Sequence, residues 1–318
     1  MNYWINYLRK IIYNKWFART LLILTIIFVC KYFIHHFNWA VIREIKIDTF
    51  WLLLALFVNF VYTLVYACLW HIITRVNDYS IPLIDAIAIW QVSNFGKYLP
   101  LKVAGIGYRL VAYHRRTNKS YSEIGRACYV ELLGSTLGGC IVILVFFLFS
   151  DLKRLLTHNS LYIYIAFSIV LCLLILPPVQ RQILNVTMRL LKKEPPTVSM
   201  SVLSSVGIVT GYAAAWLVLG TTLFCLTRAI YPVALQDWVS ITLVYAIAGL
   251  AGMVSVFAPS GIGVREGVLM SGMGTIIPPP LAVVIALLAR IQATVVELVG
   301  ILIGFLYLEI AKKNKKNI

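Results

Sequence analysis

Long apolar stretches divide this chain into segments that have about the length of membrane-spanning helices. A helix needs about 20 apolar residues to cross the hydrocarbon of a bilayer. Stretches that approach or exceed this length predict six full spans, at residues 16–34, 48–74, 124–150, 161–176, 201–226 and 281–310. The pattern therefore predicts an all-α, polytopic membrane protein.

Two further apolar regions are broken by glycine and proline. Residues 81–95 are too short for a comfortable crossing and lead into a glycine motif, and residues 239–257 lead into a second one. Unwound backbone at membrane depth needs protein or water around it, so these regions predict two re-entrant hairpins. An alternative, in which 239–257 and 264–277 both cross fully, gives eight spans. Charge bias does not separate the two, because both leave the termini on the same side.

Three short sequence markers occur twice, in the same order. They are AIA at 86–88 and 246–248, GIGYR at 105–109 with GIGVR at 261–265, and VELLG at 130–134 with VELVG at 296–300. Such self-similarity indicates an internal repeat. The span with Glu131 is predicted to run outward and the span with Glu297 inward, so the repeats are predicted to be inverted, as in alternating-access transporters.

The repeat divides the chain into five predicted regions. These are an N-terminal cytoplasmic segment with the first span (1–47), a first repeat (48–178), a cytoplasmic linker (179–199), a second repeat (200–310) and a basic cytoplasmic tail (311–318).

Composition supports a membrane protein and changes the interpretation of the charge. Of 318 residues, 61% are hydrophobic and 13% charged, against about 25% charged in soluble proteins. The net charge of +16 comes largely from short loops between spans, which positive-inside bias explains better than nucleic-acid binding. Both termini are therefore predicted to be cytoplasmic. The cysteines form no CxxC pair and no His-rich cluster accompanies them, so neither a metal site nor a cofactor is expected.

Ionisable residues within apolar spans are functional candidates, because a central charge costs about 2.5 to 3.5 kcal/mol even on translocon-derived scales. Glu131, Arg290 and Glu297 occupy such positions. Arg290 and Glu297 are two helical turns apart and share a face. These charges predict either a polar cavity lined from two sides or a set of helix-joining salt bridges.

The glycine motifs suggest an anion site. Glycine lets the backbone approach a phosphate, and a helix that begins just after the loop would direct N–H groups at it. Arginine adds bidentate recognition of phosphate. The predicted substrate-binding residues of the two motifs are Gly105, Gly107, Arg109, Gly261, Gly263, Arg265 and Glu266, together with Glu131, Arg290 and Glu297. A glycine kink that simply closes each hairpin is the alternative, and no catalytic residue is predicted.

Three short stretches of the sequence resemble a known family. They are GKYLP at 96–100, PSGIGVREG at 259–267 and VEL at 296–298, and they are similar to the lysylphosphatidylglycerol synthase transmembrane region, a family of flippase-like membrane proteins. The resemblance covers roughly residues 20–310, although Leu101 departs from the small residue more usual after the first proline. Larger members carry a cytoplasmic domain that attaches an amino acid to phosphatidylglycerol, and their membrane region moves the product between leaflets. We expect no such domain in this chain, so the resemblance implies the lipid-translocating part.

The leading hypothesis is a non-enzymatic lipid flippase of the bacterial inner membrane. Its cargo would be a phospholipid, an aminoacyl-phospholipid or a polyprenyl-phosphate-linked lipid. A membrane scaffold for envelope lipid or polysaccharide synthesis and an interfacial lipid-modifying enzyme remain alternatives. Membrane lipids are the predicted partners, self-association into a homo-oligomer stays open, and no nucleic acid is expected.

Single-cysteine labelling in a cysteine-free background tests the predicted topology. Residues 150–160 and 277–280 are expected to react from the periplasm, and residues 179–198 and the C-terminus from the cytoplasm. Labelling at position 261 separates the two span counts, because it lies toward the outside in the inverted-repeat arrangement and toward the inside with eight full spans. Label that reaches position 279 only from the cytoplasm would contradict the hairpin arrangement.

Overall fold

The computed structural model describes residues 45–98, 103–149, 201–255, 261 and 263–316, with a few isolated positions between 173 and 185. The spans predicted at 16–34 and 161–176 and the linker at 179–199 lie wholly or largely outside these ranges. All regular structure within the ranges is helical, which confirms the predicted all-α class.

Eight α-helices and one 3-10 helix occur in the described ranges. They are α1 (Thr49–Val76), α2 (Leu83–Ser93), the 3-10 helix (Asn94–Tyr98), α3 (Val103–Thr117), α4 (Tyr121–Phe149), α5 (Val202–Arg228), α6 (Asp237–Val254), α7 (Val264–Met273) and α8 (Pro279–Lys316).

Helix starts follow local capping chemistry. Asp48 precedes α1, and its carboxylate accepts hydrogen bonds from the backbone N–H groups of Phe50 (2.9 Å) and Trp51 (3.3 Å). Before α4, the Glu123 N–H donates to the Ser120 hydroxyl (3.2 Å), and the Ser120 N–H donates to the Glu123 carboxylate (2.9 Å). Such a reciprocal pair satisfies N–H groups that have no partner within the helix.

Five helices are long and apolar enough to cross a membrane: α1, α4, α5, α6 and α8. The chain is therefore an integral, multi-pass membrane protein. Four of these helices coincide with spans predicted at 48–74, 124–150, 201–226 and 281–310. Because α8 continues to Lys316, much of the predicted tail at 311–318 is helical.

One helix beside each glycine motif is short, whereas α6, which precedes the second motif, has 18 residues and is long enough to cross. α2 has 11 residues and α7 has 10, which gives lengths of about 16 and 15 Å at a rise of 1.5 Å per residue. Neither helix alone crosses a hydrocarbon core of about 30 Å. The length of α7 argues against the eight-span arrangement, since that arrangement needs residues 264–277 to cross. The length of α6 agrees with a full crossing at 239–257, so the re-entrant hairpins stay a prediction.

The two halves of the described structure have the same element order. A long helix, a broken hairpin and a second long helix occur as α1 to α4 and again as α5 to α8. The first helices of the halves, α1 and α5, pack against each other, while α2 packs on α8 and α6 packs on α4. Each hairpin thus lies against the last helix of the other half. This reciprocal packing supports the predicted repeat, and the inverted orientation of its copies stays a prediction.

The apolar core has two main clusters. One joins the end of α5 to α6, α7 and the start of α8, and the other joins the second half of α1 to α2, α3 and the starts of α4 and α5. Tyr62 packs against both clusters. The level of Tyr62 along α1 therefore marks the boundary between the clusters.

Close contact between α4 and α5 depends on glycine. A Cβ at Gly138 would lie 2.6 Å from the backbone nitrogen of Ala213 and 2.8 Å from the carbonyl carbon of Tyr212. Small residues at helix crossings let backbones approach in this way. The α4–α5 contact therefore tolerates no side chain at position 138.

Gly138→Ala is expected to lower the free energy of unfolding by about 1–3 kcal/mol, since neighbouring backbone cannot move aside cheaply. Gly207→Ala is the matched control, because a Cβ at Gly207 on α5 meets nothing within 4 Å and helix propensity favours alanine by up to about 1 kcal/mol. Thermal unfolding of both variants in one detergent measures the difference. Equal melting temperatures for the two variants would contradict the close crossing.

Candidate functional site

The first glycine hairpin brings an arginine to a buried carboxylate. Arg109 on α3 donates from Nη1 to Oε2 of Glu131 on α4, and each side chain is 11% exposed. The other carboxylate oxygen accepts a hydrogen bond from Nε1 of Trp90 on α2, at 2.8 Å. The arrangement joins three helices around one charge pair.

Aromatic side chains surround the Arg109 guanidinium. Its central carbon lies 4.4 Å from the centroid of the Trp70 ring on α1, a geometry that stabilises a cation over the ring face. Trp70 in turn donates from Nε1 to the Tyr113 hydroxyl at 2.8 Å. Among the residues that the structure describes, the Arg109 Nε has no hydrogen-bond partner.

Glycines at the hairpin tip make this arrangement possible. A Cβ at Gly96 would lie 1.9 Å from the Gly105 nitrogen, and one at Gly105 would lie 2.3 Å from the Ser93 carbonyl oxygen. The backbone of the 3-10 helix therefore touches the backbone of α3. A side chain at either position would push the 3-10 helix and α3 apart, which is expected to move Arg109 away from Glu131.

The second glycine motif has a different backbone. Gly261 and Gly263 have φ values of 70° and 87°, a left-handed conformation that glycine adopts without steric cost. A Cβ at Gly261 would lie 2.8 Å from Cα of Gly252 at the end of α6. Gly261 thus lies directly against the backbone at the end of α6, where a side chain would not fit.

The predicted helix start after the loop occurs only in this second copy. α7 begins at Val264, directly after Gly263, whereas α3 begins at Val103, so that Gly105 and Gly107 lie inside a helix. For the first copy, the expectation of a helix beginning after the loop is therefore wrong. In the second copy, the Gly263 N–H donates to the Glu266 carboxylate at 2.6 Å, which occupies one of the N–H groups expected to face an anion.

Arg265 has a neutral partner. Its Nη2 donates to the Tyr245 hydroxyl on α6, and its central carbon lies 4.9 Å from the centroid of the same ring. Glu266, Glu297 and Tyr62 are near enough to contribute to its electrostatic environment. Among the described residues, its direct hydrogen bond is thus to a phenol rather than to a carboxylate.

Arg290 lies against the second motif. Its Nη1 is 3.7 Å from a carboxylate oxygen of Glu266, so that α8 is joined to α7. The sequence placed Arg290 and Glu297 on one helical face, but the ion pair given by the structure joins Arg290 to Glu266. This geometry is that of a helix-joining pair, and a substrate-binding role for these residues stays a prediction.

A cluster of tyrosines lies between the two arginine sites, and the sequence analysis did not include it. The ring of Tyr66 is 4.8 Å from Tyr62 and 5.0 Å from Tyr212 between centroids, and its hydroxyl is 2.8 Å from the Ser135 hydroxyl. Tyr62 lies near enough to Arg265, and Tyr66 near enough to Glu131, for these charges to act on the two hydroxyls. The spacing of Tyr62 and Tyr66 by one turn is the only signal in the sequence that could have indicated the cluster.

Parts of both loops lie outside the described residues, namely 99–102, 256–260 and 262. The structure nevertheless brings the predicted residues into two groups. Arg109 and Glu131 form one, and Arg265, Glu266 and Arg290 form the other with Glu297 close to Arg265. Both groups are positioned by a glycine hairpin and the long helix that follows it.

Comparison with known proteins places the chain in a family. The sequence model of the lysylphosphatidylglycerol synthase TM region matches residues 16–300. Because this match covers most of the chain, the chain belongs to that family, as its motifs predicted. No curated protein matches the chain significantly.

Replacing one member of the Arg109–Glu131 pair is expected to destabilise the protein more than replacing both. A lone buried charge costs about 3–5 kcal/mol, whereas an apolar pair of similar volume is often neutral. Arg109→Met and Glu131→Leu should each lower the melting temperature in detergent, and the double variant should recover most of the loss. Additive losses in this double-mutant cycle would show that the two side chains act independently.

Proposed function

We propose that the chain, a member of the lysylphosphatidylglycerol synthase TM region family, moves a lipid with a polar headgroup between the leaflets of the bacterial inner membrane. A phospholipid, an aminoacyl-phospholipid or a polyprenyl-phosphate-linked lipid is the proposed cargo. The proposed topology has both termini in the cytoplasm. The family match supports a lipid-related role, and the site chemistry supports translocation.

The observation that carries this proposal is the pair of arginine groups buried in an apolar bundle. The side chains of Arg109 and Arg290 are 11% and 20% exposed, and Arg265 is held against Tyr245. Charges inside a membrane are costly and are typically retained along substrate pathways. A lipid phosphate crossing the bilayer needs a cation at membrane depth, and guanidinium provides it with two directed donors.

The tyrosine cluster fits the same proposal. Tyr62, Tyr66 and Tyr212 lie between the arginine groups, and the Tyr212 hydroxyl has no hydrogen-bond partner within the described part of the chain. Phenol groups present an apolar ring and one polar atom. In the proposed mechanism, the headgroup moves from one arginine group to the other and forms hydrogen bonds with these hydroxyls on the way. Its acyl chains stay in the surrounding hydrocarbon.

Arg265→Lys tests the proposal most directly. Lysine keeps the positive charge but loses the planar fork that binds phosphate through two hydrogen bonds. Loss of one charge-assisted bond of about 1.5–3 kcal/mol corresponds to roughly a 10- to 100-fold slower step. We expect this reduction in the translocation of a labelled anionic phospholipid in reconstituted vesicles, with unchanged yield of folded protein.

Arg228→Lys is the matched control. Arg228 also lies over an aromatic ring, 4.5 Å from the centroid of Trp51, but at the end of α5 and away from both glycine motifs. The Arg228→Lys variant therefore measures how far the loss of arginine–aromatic stacking alone reduces translocation. Equal translocation by wild type and Arg265→Lys, or equal loss in both variants, would overturn the proposed role of Arg265.

A further inference from the structure

The buried pair of Arg109 and Glu131 carries no net charge. The Arg109 Nη1 donates to one carboxylate oxygen of Glu131, and the Nε1 of Trp90 donates to the other at 2.8 Å. Each of the two charged side chains is 11% exposed. Donors therefore occupy both carboxylate oxygens, and the positive charge of the arginine balances the negative charge of the carboxylate.

The other titratable side chains close to the pair are a thiol and two phenols. Cys128 on α4, Tyr66 on α1 and Tyr212 on α5 are near enough to Glu131 for electrostatic interaction. Thiols and phenols have ordinary pKa values of about 8.5 and 10, so these groups are neutral at pH 7. They add no charge that could replace the arginine.

Further charged or titratable groups on α4 and α6 have other partners. On α6, which also packs on α4, Asp237 lies in the first turn, and Tyr245 accepts a hydrogen bond from the arginine of the second motif. On α4 itself, Arg126 is five residues before Glu131 and thus on a different face, where it acts on Tyr79. Each of these groups has its interaction away from the Glu131 carboxylate.

A lipid phosphate that binds Arg109 takes the counter-ion of Glu131. Phosphate and carboxylate compete for one guanidinium, so two negative groups would then face one cation inside the bundle. A buried carboxylate without a cation is strongly destabilised, and such a group is neutralised by a proton instead. The charge balance around Arg109 therefore calls for one proton with each anionic headgroup.

We infer that Glu131 takes up one proton for each anionic lipid headgroup that binds to Arg109, so that the proton is the coupling ion of the proposed translocation. The proton comes from water that enters with the headgroup, and it forms an O–H bond on the carboxylate oxygen that Arg109 releases. When the headgroup leaves, this proton returns to water and the Arg109–Glu131 pair forms again. An anionic phospholipid thus moves together with one proton and without net charge.

A neutral acceptor for the new O–H lies beside Glu131. The ring of Tyr212 lies against Gly134, one helical turn after Glu131 on α4, where an added Cβ would be 3.0 Å from a ring carbon. Its hydroxyl is buried and, in the part of the chain that the structure describes, has no hydrogen-bond partner. The phenol oxygen can therefore accept from the protonated carboxyl group, while Trp90 still donates to the other oxygen.

The inference deepens the proposed function, on which it rests, and it separates lipids by their net charge. A zwitterionic phospholipid brings an ammonium group, which can replace Arg109 as the partner of Glu131. Such a lipid needs no proton. Proton uptake is thus expected with phosphatidylglycerol and not with phosphatidylethanolamine.

Calorimetric titration of the purified, full-length protein tests the inference. Short-chain phosphatidylglycerol and phosphatidylethanolamine with identical acyl chains are the two probes, and buffers of different ionisation enthalpy reveal the number of protons taken up per lipid bound. We expect about one proton with phosphatidylglycerol and about none with phosphatidylethanolamine. The affinity for phosphatidylglycerol should then fall by about tenfold for each unit rise in pH, because deprotonation of Glu131 opposes binding.

Glu131→Gln should bind phosphatidylglycerol without proton uptake, because the amide accepts the same hydrogen bonds but does not titrate. Glu123→Gln is the matched control. Glu123 is the other carboxylate of α4, but it lies at the start of the helix and accepts from the Ser120 N–H at 2.9 Å, so this variant should keep the uptake of the wild type. The comparison of the two lipids on the wild-type protein keeps the test decisive if Glu131→Gln does not fold.

The outcomes separate this inference from the proposed function. Absence of proton uptake with phosphatidylglycerol, equal uptake with both lipids, or uptake that persists in Glu131→Gln would overturn the inference. Translocation of both lipids in vesicles is measured separately. Transport without proton uptake would leave the proposed function standing, and proton-linked binding without transport of either lipid would refute the function alone.

Discussion

The cost of placing charge inside an apolar helix bundle is the constraint on which the rest of this structure depends. A buried carboxylate such as Glu131 is tolerated only when a cation and further donors meet it. Arg109 on α3 and Trp90 on α2 do so from two different helices, so that both helices must approach Glu131 at the same time. That approach brings backbone onto backbone at Gly96 and Gly105. The glycine motif is thus a geometric consequence of the buried charge pair.

Much of the helical architecture could be predicted because it follows from the length of apolar runs. The spans ending near Thr74 and beginning near Ser201 agree with α1 and α5 to within a few residues. The breaks in the pattern were equally informative, since α2 and α7 are short helices beside the two glycine motifs. The repeated Val-Glu-Leu strings lie on α4 and α8, the last helices of the two halves, while the internal repeat itself stays a prediction.

The apolar pattern does not predict which side chains contact each other across neighbouring helices. Helical spacing put Arg290 and Glu297 on one face, but it does not say which neighbouring helix carries the opposite charge, and Glu266 on α7 is that neighbour. The glycine string also has no fixed conformation. Its first copy lies within α3, and its second copy is left-handed at Gly261.

The two copies differ most in how their arginines are neutralised, and this difference bears on function. Arg109 is held by a carboxylate and a tryptophan ring, so an anion that binds it must compete with Glu131. Arg265 donates to the phenol of Tyr245, while the carboxylate of Glu266 already accepts from the Gly263 N–H and faces Arg290. Replacing a phenol costs an incoming phosphate less than replacing a carboxylate, because only the carboxylate carries a charge that must be separated from the arginine. In the proposed function, the second copy is therefore the better suited of the two to accept an anionic headgroup.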